Sequence, residues 1–156
     1  MSGAPQVKVI DRFTKEAGYD FLSNFYHATI SYEGLLYPTV EHAYQASKTF
    51  DPHIKEIIRN SKDPATAKKL GQGIQVRPDW KDVRLSVMRS LIHEKFQNPF
   101  LRPLLLATED AKLILNNKWN DKFWGICRGV GENWLGKILM EERNAIKEDE
   151  QTQAFP

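Results

Sequence analysis

The chain has 156 residues, 41% of them hydrophobic and 11% aromatic, and carries 22 basic against 20 acidic side chains, a formal net charge of +2. That length fits one compact domain able to bury roughly two-thirds of its unfolded surface, and the composition excludes a disordered chain. The near balance of charge excludes the bulk positive field that drives non-specific nucleic-acid binding.

Taken in chain order, Val7 to Phe13 and Ala28 to Tyr32 carry the β-branched and aromatic residues of short strands. The second leads through the turn Glu33-Gly34 into Leu35-Leu36-Tyr37, which predicts a hairpin. Thr39 is then a helix cap, with Glu41 in the first turn where the helix dipole favours a carboxylate, and the helix is expected to reach about Phe50. Asp63-Pro64, a cap followed by proline at the first helical position, opens another helix that Gly71 is placed to end. From Asp79 onward, Trp80, Val83, Val87, Met88, Leu91, Ile92 and Phe96 recur at three- and four-residue spacing, the strongest helical periodicity in the chain. Asn98-Pro99 starts a helix that Pro103 strains and either splits or restarts, and Ala111 to Leu115 reads as a strand. The last helix begins near Glu132 or Asn133 and buries Trp134, Leu135, Ile138, Leu139 and Ile146 along one stripe. Early strands, later helices and no regular alternation predict an α+β fold: a helix-rich single domain with a small antiparallel sheet over residues 1–146, then a polar tail, 147–156, that frays.

The single cysteine, Cys127, allows no internal disulfide, and the opening residues lack the basic-then-apolar layout of a secretory signal. The longest apolar run, Leu104 to Ala107, falls far short of the roughly 18 residues of a membrane helix. A cytoplasmic location with no membrane partner is expected. His27, His42, His53 and His93 follow no metal-ligand spacing and no glycine-rich phosphate loop is present, so neither metal nor cofactor is expected. The basic stretch Lys62, Lys68 and Lys69 reads as the solvated face of a helix, with phosphate contact as its alternative.

Three segments put glycine, tryptophan, asparagine and carboxylates in loops or at helix starts, where side chains can converge on a ligand: residues 21–26, 37–48 and 121–137. Their motifs are Ser23-Asn24-Phe25-Tyr26, Tyr37-Pro38-Thr39-Val40-Glu41-His42, Gln45-Ala46-Ser47-Lys48, Arg77-Pro78-Asp79-Trp80, Phe123-Trp124-Gly125 and Asn133-Trp134-Leu135-Gly136-Lys137. In that order, and over nearly everything from Phe21 to Arg143, the set resembles the NADAR family, also called YbiA-like. The resemblance implies cleavage of N-glycosidic bonds, including removal of ADP-ribose from guanine and breakdown of ribosylaminopyrimidine intermediates of riboflavin synthesis.

Breaking a ribose C–N bond passes through an oxocarbenium-like state, so the site needs a carboxylate to stabilise positive charge and guide water. Glu41 is the first candidate; its bland alternative is a first-turn glutamate contributing a few tenths to about 1 kcal/mol through the dipole. Glu41, Gln45 and Lys48 follow one another at i, i+4 and i+7 on a single helical stripe, with Tyr44 beside them. Lys48 can hold a phosphate or ribose oxygen, or stand as an exposed lysine. Asp121 is either a second carboxylate or a turn aspartate; the family pattern has an acidic residue close before Phe-Trp-Gly, and here Lys122 intervenes. Phe25 and Trp124 offer faces on which a base can stack, in competition with core packing. Asn24 and Asn133 can bond ribose or amide groups, or serve as turn and cap residues, while Gly125 permits close approach. The expected partner is a nucleotide or an ADP-ribosylated guanine, free or within nucleic acid. The competing readings are an N-glycosidase of riboflavin intermediates, a non-catalytic ADP-ribose-binding module and a helical interaction protein.

Overall fold

The computed structural model describes residues 3–4 and 6–154. Along the chain run β1 (Val9–Ile10), a 3-10 turn (Asp20–Leu22), β2 (Ile30–Tyr32), β3 (Leu35–Tyr37), α1 (Val40–Ala46), α2 (Pro52–Arg59), α3 (Pro64–Gln72), α4 (Trp80–Lys95), α5 (Arg102–Leu106), β4 (Lys112–Leu113), β5 (Asn116–Asn117), β6 (Ile126–Cys127) and α6 (Trp134–Ala154). The fold is α+β and helix-rich. The expected antiparallel pairing is the hairpin β2–β3; the other two pairs, β1–β4 and β5–β6, are parallel. At the hairpin tip Glu33 and Gly34 both take positive φ, 48° and 82°, which gives the two-residue turn the twist its strands require.

The described chain divides into two compact units, Ser23–Asn98 and the combination of Met1–Leu22 with Pro99–Pro156. In the first, the short helix α1 lies at the centre, against α2, α3, α4 and both hairpin strands. Val87, Met88, Leu91, Ile92 and Phe96 of the α4 stripe are buried as their spacing predicts, each worth about 1.5–3 kcal/mol of hydrophobic transfer. In the second unit α6 packs on β4 and α5, burying Leu135, Ile138, Leu139 and Ile146; Trp134 is only half-buried.

Several boundaries differ from the sequence reading. α1 stops at Ala46 instead of reaching Phe50: beyond Ser47 the backbone leaves the helical pattern, Lys48 N–H bonding the Gln45 carbonyl (3.2 Å) and Thr49 N–H the Ala46 carbonyl (3.4 Å), each three residues back. A helix unforeseen in the sequence, α2, follows at once, capped by Asp51 on His53 N–H and opened by Pro52. Gly71 does not end α3, which runs to Gln72 and closes at Gly73. Asn98-Pro99 opens no helix; α5 starts at Arg102, so Pro103 sits in its first turn, where a missing N–H costs nothing. β1 and β4 are shorter than the runs around them. Residues from Lys147, expected to fray, continue α6 to Ala154, where Arg102 holds Asp149 at 2.6 Å and Glu150 at 3.3 Å. Residues 1–2, 5 and 155–156, at or near the outer ends of the expected boundaries, lie outside the described residues. Among the described residues no helix is long and apolar enough to cross a membrane.

Candidate active site

All of α1 is buried, although three of its residues, Glu41, His42 and Gln45, are polar. Buried polar groups need partners, and the local sequence supplies them. Thr39 caps the helix by accepting from His42 N–H at 3.1 Å. The His42 Nε2–H donates to the Ser61 carbonyl at 3.2 Å, which leaves Nδ1 to accept from the Thr39 hydroxyl at 2.7 Å. Gln45, one turn after Glu41, donates Nε2–H to the Glu41 carboxylate at 2.8 Å and so fixes its plane.

The expected contacts Asn24 and Phe25 are brought to the head of this helix: the Asn24 carbonyl accepts from Glu41 N–H at 3.1 Å. Its side-chain Oδ1 is buried and makes no hydrogen bond, while Nδ2 lies 3.7 Å from the Met88 sulfur. Phe25 beside it is exposed, with 41% of its surface in solvent. The turn is held from beneath by Lys95 of α4, a fully buried side chain whose ammonium donates to the Ser23 carbonyl at 2.8 Å.

On the other flank of Glu41, the Tyr44 ring lies between Trp80, 5.2 Å away centre to centre, and the Lys48 ammonium at 5.5 Å. Tyr44 is buried and Lys48 half-buried. Burial pushes the Lys48 pKa down from 10.5, with Glu41 pulling it up and Lys68 pushing it further down. Arg77 fixes the backbone here by donating its N–H to the Lys48 carbonyl at 2.7 Å, its own guanidinium forked on Asp79. Asn24, Phe25, Glu41, Tyr44 and Lys48 thus form one constellation around α1.

Asp121, Trp124, Gly125 and Asn133 form a second set, within the other unit. Asp121 Oδ1 accepts from the backbone N–H groups of Phe123 (3.1 Å) and Trp124 (2.9 Å), and Asn117 bonds both the N–H and the carbonyl of Asp121. Trp124 meets Phe123 edge-on at 4.8 Å. A Cβ on Gly125 would collide with the Leu115 carbonyl, so glycine is required for β5 and β6 to close. Asn133, at φ 55°, accepts from Leu115 N–H and donates to the Leu113 carbonyl. Asp121 and Asn133 therefore hold loop and helix entry, which is the turn and cap role open to each in the sequence.

The sequence reading did not single out Lys95, Trp80 or Gln45 as site residues. Lys95 sat in an otherwise apolar stripe, and an inward lysine was the signal available; Trp80 and Gln45 lay inside recognised motifs.

The NADAR domain model matches residues 12–147. The chain belongs to the NADAR family. N-glycosidase YbiA of Escherichia coli is 37% identical over 145 residues, 90% of this NADAR chain and 90% of that protein. A riboflavin biosynthesis protein of Vibrio vulnificus is 39% identical over 140 residues, of which this chain spans only 38% of the full length. The NMR structure of E. coli YbiA, 36% identical, matches with a TM-score of 0.83 over 95% of this chain and 90% of that one. With these relatives the NADAR chain is an enzyme of the N-glycosidase class.

Proposed function

We propose that this chain hydrolyses the bond between the anomeric carbon of a ribose and a base nitrogen, and that its substrate is an ADP-ribosylated guanine, free or within nucleic acid. The observation that carries the reading is the Glu41 carboxylate, buried at the head of α1, oriented by Gln45 and within the electrostatic reach of Lys48, two residues beyond the end of the helix. As the C–N bond lengthens, its electron pair leaves with the base and positive charge grows on C1′ and the ring oxygen; a fixed carboxylate beside them stabilises that charge and accepts a proton from the attacking water. The water oxygen bonds to C1′ and the departing nitrogen, or a ring atom conjugated with it, takes up a proton. Lys48 holds an anionic oxygen of the substrate, Asn24 Oδ1 takes a ribose hydroxyl, and the exposed Phe25 face and the Tyr44 edge border the base. Asp121 serves within its own unit by holding the backbone of Phe123 and Trp124. The reading carries with it the expectation of a cytoplasmic enzyme.

The name of the Vibrio relative favours a second substrate, a ribosylaminopyrimidine of riboflavin synthesis. Incubating the protein with ADP-ribosylated guanosine and, separately, with the ribosylaminopyrimidine is expected to release ADP-ribose in the first case; release of sugar only in the second would install the alternative. Glu41→Gln keeps a carbonyl to accept the Gln45 N–H, so it is expected to fold and bind while turnover falls by about 10²- to 10⁴-fold. Saturable binding with no turnover by the wild type would make the chain a binding module instead.

A further inference from the structure

Gly71 lies inside α3, with ordinary right-handed backbone, where alanine would favour the helix by about 1 kcal/mol. Neither a turn nor a positive φ explains a glycine there. The explanation is on α1: a Cβ at this position would collide with Gln45 Oε1 and come within 2.7 Å of Gln45 Cδ and 2.9 Å of Gln45 Cβ. The obstructed group is no mobile chain end, since Gln45 is buried and its own Cβ, anchored on α1, is among the atoms met.

The Gln45 amide is held asymmetrically. Its Nε2 donates to Glu41, whereas Oε1 is buried, makes no hydrogen bond and occupies the space that a side chain at position 71 would fill. Leaving a buried acceptor unbonded costs about 1–3 kcal/mol, a cost that persists only where something else fixes the group. Turning the amide over would satisfy neither side, because Oε1 would then face the carboxylate oxygen. Glu41 thus decides which amide atom faces it, the bare backbone of Gly71 leaves the room in which the rest of the amide lies, and Gln45 so seated sets the plane of Glu41.

We infer that Gly71 is a positioning residue for the N-glycosidase reaction: its missing side chain lets the Gln45 amide seat against α3 and hold the Glu41 carboxylate at the angle the reaction uses. The inference rests on the reading of Glu41 given above.

Steady-state kinetics on whichever of ADP-ribosylated guanosine and the ribosylaminopyrimidine the wild type cleaves, with Gly71→Ala, Gln45→Gly, their double variant and Glu41→Gln, tests it. Gly71→Ala is expected to lower kcat at least about tenfold with KM changed by less than about twofold. Gln45→Gly, which removes the Cβ as well as the amide, is expected to lose a comparable factor, and the double variant to be no slower than Gln45→Gly alone, since the added methyl then has room. The methyl is also expected to raise Tm in the Gln45→Gly background while lowering it in the wild type. Wild-type kcat for Gly71→Ala, or losses that multiply in the double variant, overturns the inference. If Gly71→Ala alone does not fold, the double variant decides: refolding with Gln45→Gly kinetics supports it, and a failure to fold overturns it. A fully active Glu41→Gln, or a wild type that cleaves neither compound, instead overturns the underlying reading, and the inference falls with it.

Discussion

Lys48 carries its charge in a half-buried place, between the Tyr44 ring and the field of Glu41, with Lys68 acting against it. Its proton is therefore lost at a lower pH than that of an exposed lysine, whose ordinary value is 10.5. With the ammonium holding an anionic oxygen of the substrate, kcat/KM falls as pH rises through the Lys48 pKa. Neutralising Lys68 removes a repulsion and raises that pKa, so Lys68→Gln is expected to move the alkaline limb of the kcat/KM profile to higher pH and leave the acid limb in place. An alkaline limb that stays put would separate Lys48 from substrate binding. The pairing of Glu41 with Gln45 was legible in the sequence because helical spacing puts the two on one stripe; Lys48, expected on that same stripe, lies two residues past the end of α1 and is reached only by the field of Glu41. The roles of Gly71 and Lys95 were not legible, because each depends on a group brought in by another element: the Gln45 amide for one, the Ser23 carbonyl for the other.

At the scale of elements, the head of α1 depends on a ring that burial keeps below the ordinary histidine value of 6.5; the Ser61 carbonyl and Asp63 pull the His42 pKa up and His27 pushes it down, and burial prevails. The unfolded chain thus binds this proton at a higher pH than the folded chain does. The resulting stability is complete above about 6.5 and is lost as pH falls from there through the folded value. Thermal unfolding followed from pH 7.5 to 5.5 is expected to show Tm dropping more steeply for the wild type than for His42→Gln; parallel curves would remove His42 from the acid response. The lead into α6 turns on Asn133, which combines a left-handed backbone with two side-chain bonds to the 113–115 segment. Asn133→Gly keeps the backbone and loses the bonds, at about 2 kcal/mol, while Asn133→Ala adds about 1 kcal/mol of strain. Urea titrations at unchanged m-value would measure both, and equal costs for the two would remove the strain argument. The cap signals at Thr39 and Asp63 open helices as expected, and the same signal at Asp51-Pro52 opens α2, directly after the Phe50 to which the preceding helix was expected to run. A run of helical spacing marks where a helix can exist; here it stops where the N–H groups of Lys48 and Thr49 shift to carbonyls three residues back.

For the molecule as a whole, the class and the family were legible because the motifs occur in order along the chain, whereas the division into two units was not. One unit is continuous in sequence; the other is assembled from both ends of the chain, with Val9 paired to Lys112 and Ile10 to Leu113. No local pattern announces a partner that far away. The pairing has a consequence during synthesis on the ribosome. Residues 23–98 have all their own neighbours once they emerge, but the strand made first must wait, with its backbone groups unmatched, until the strand holding Lys112 and Leu113 has left the tunnel. The nascent chain thus carries an open strand edge through most of its translation, and the charges of Lys8, Asp11 and Arg12 around that edge are suited to keep other chains from adding to it.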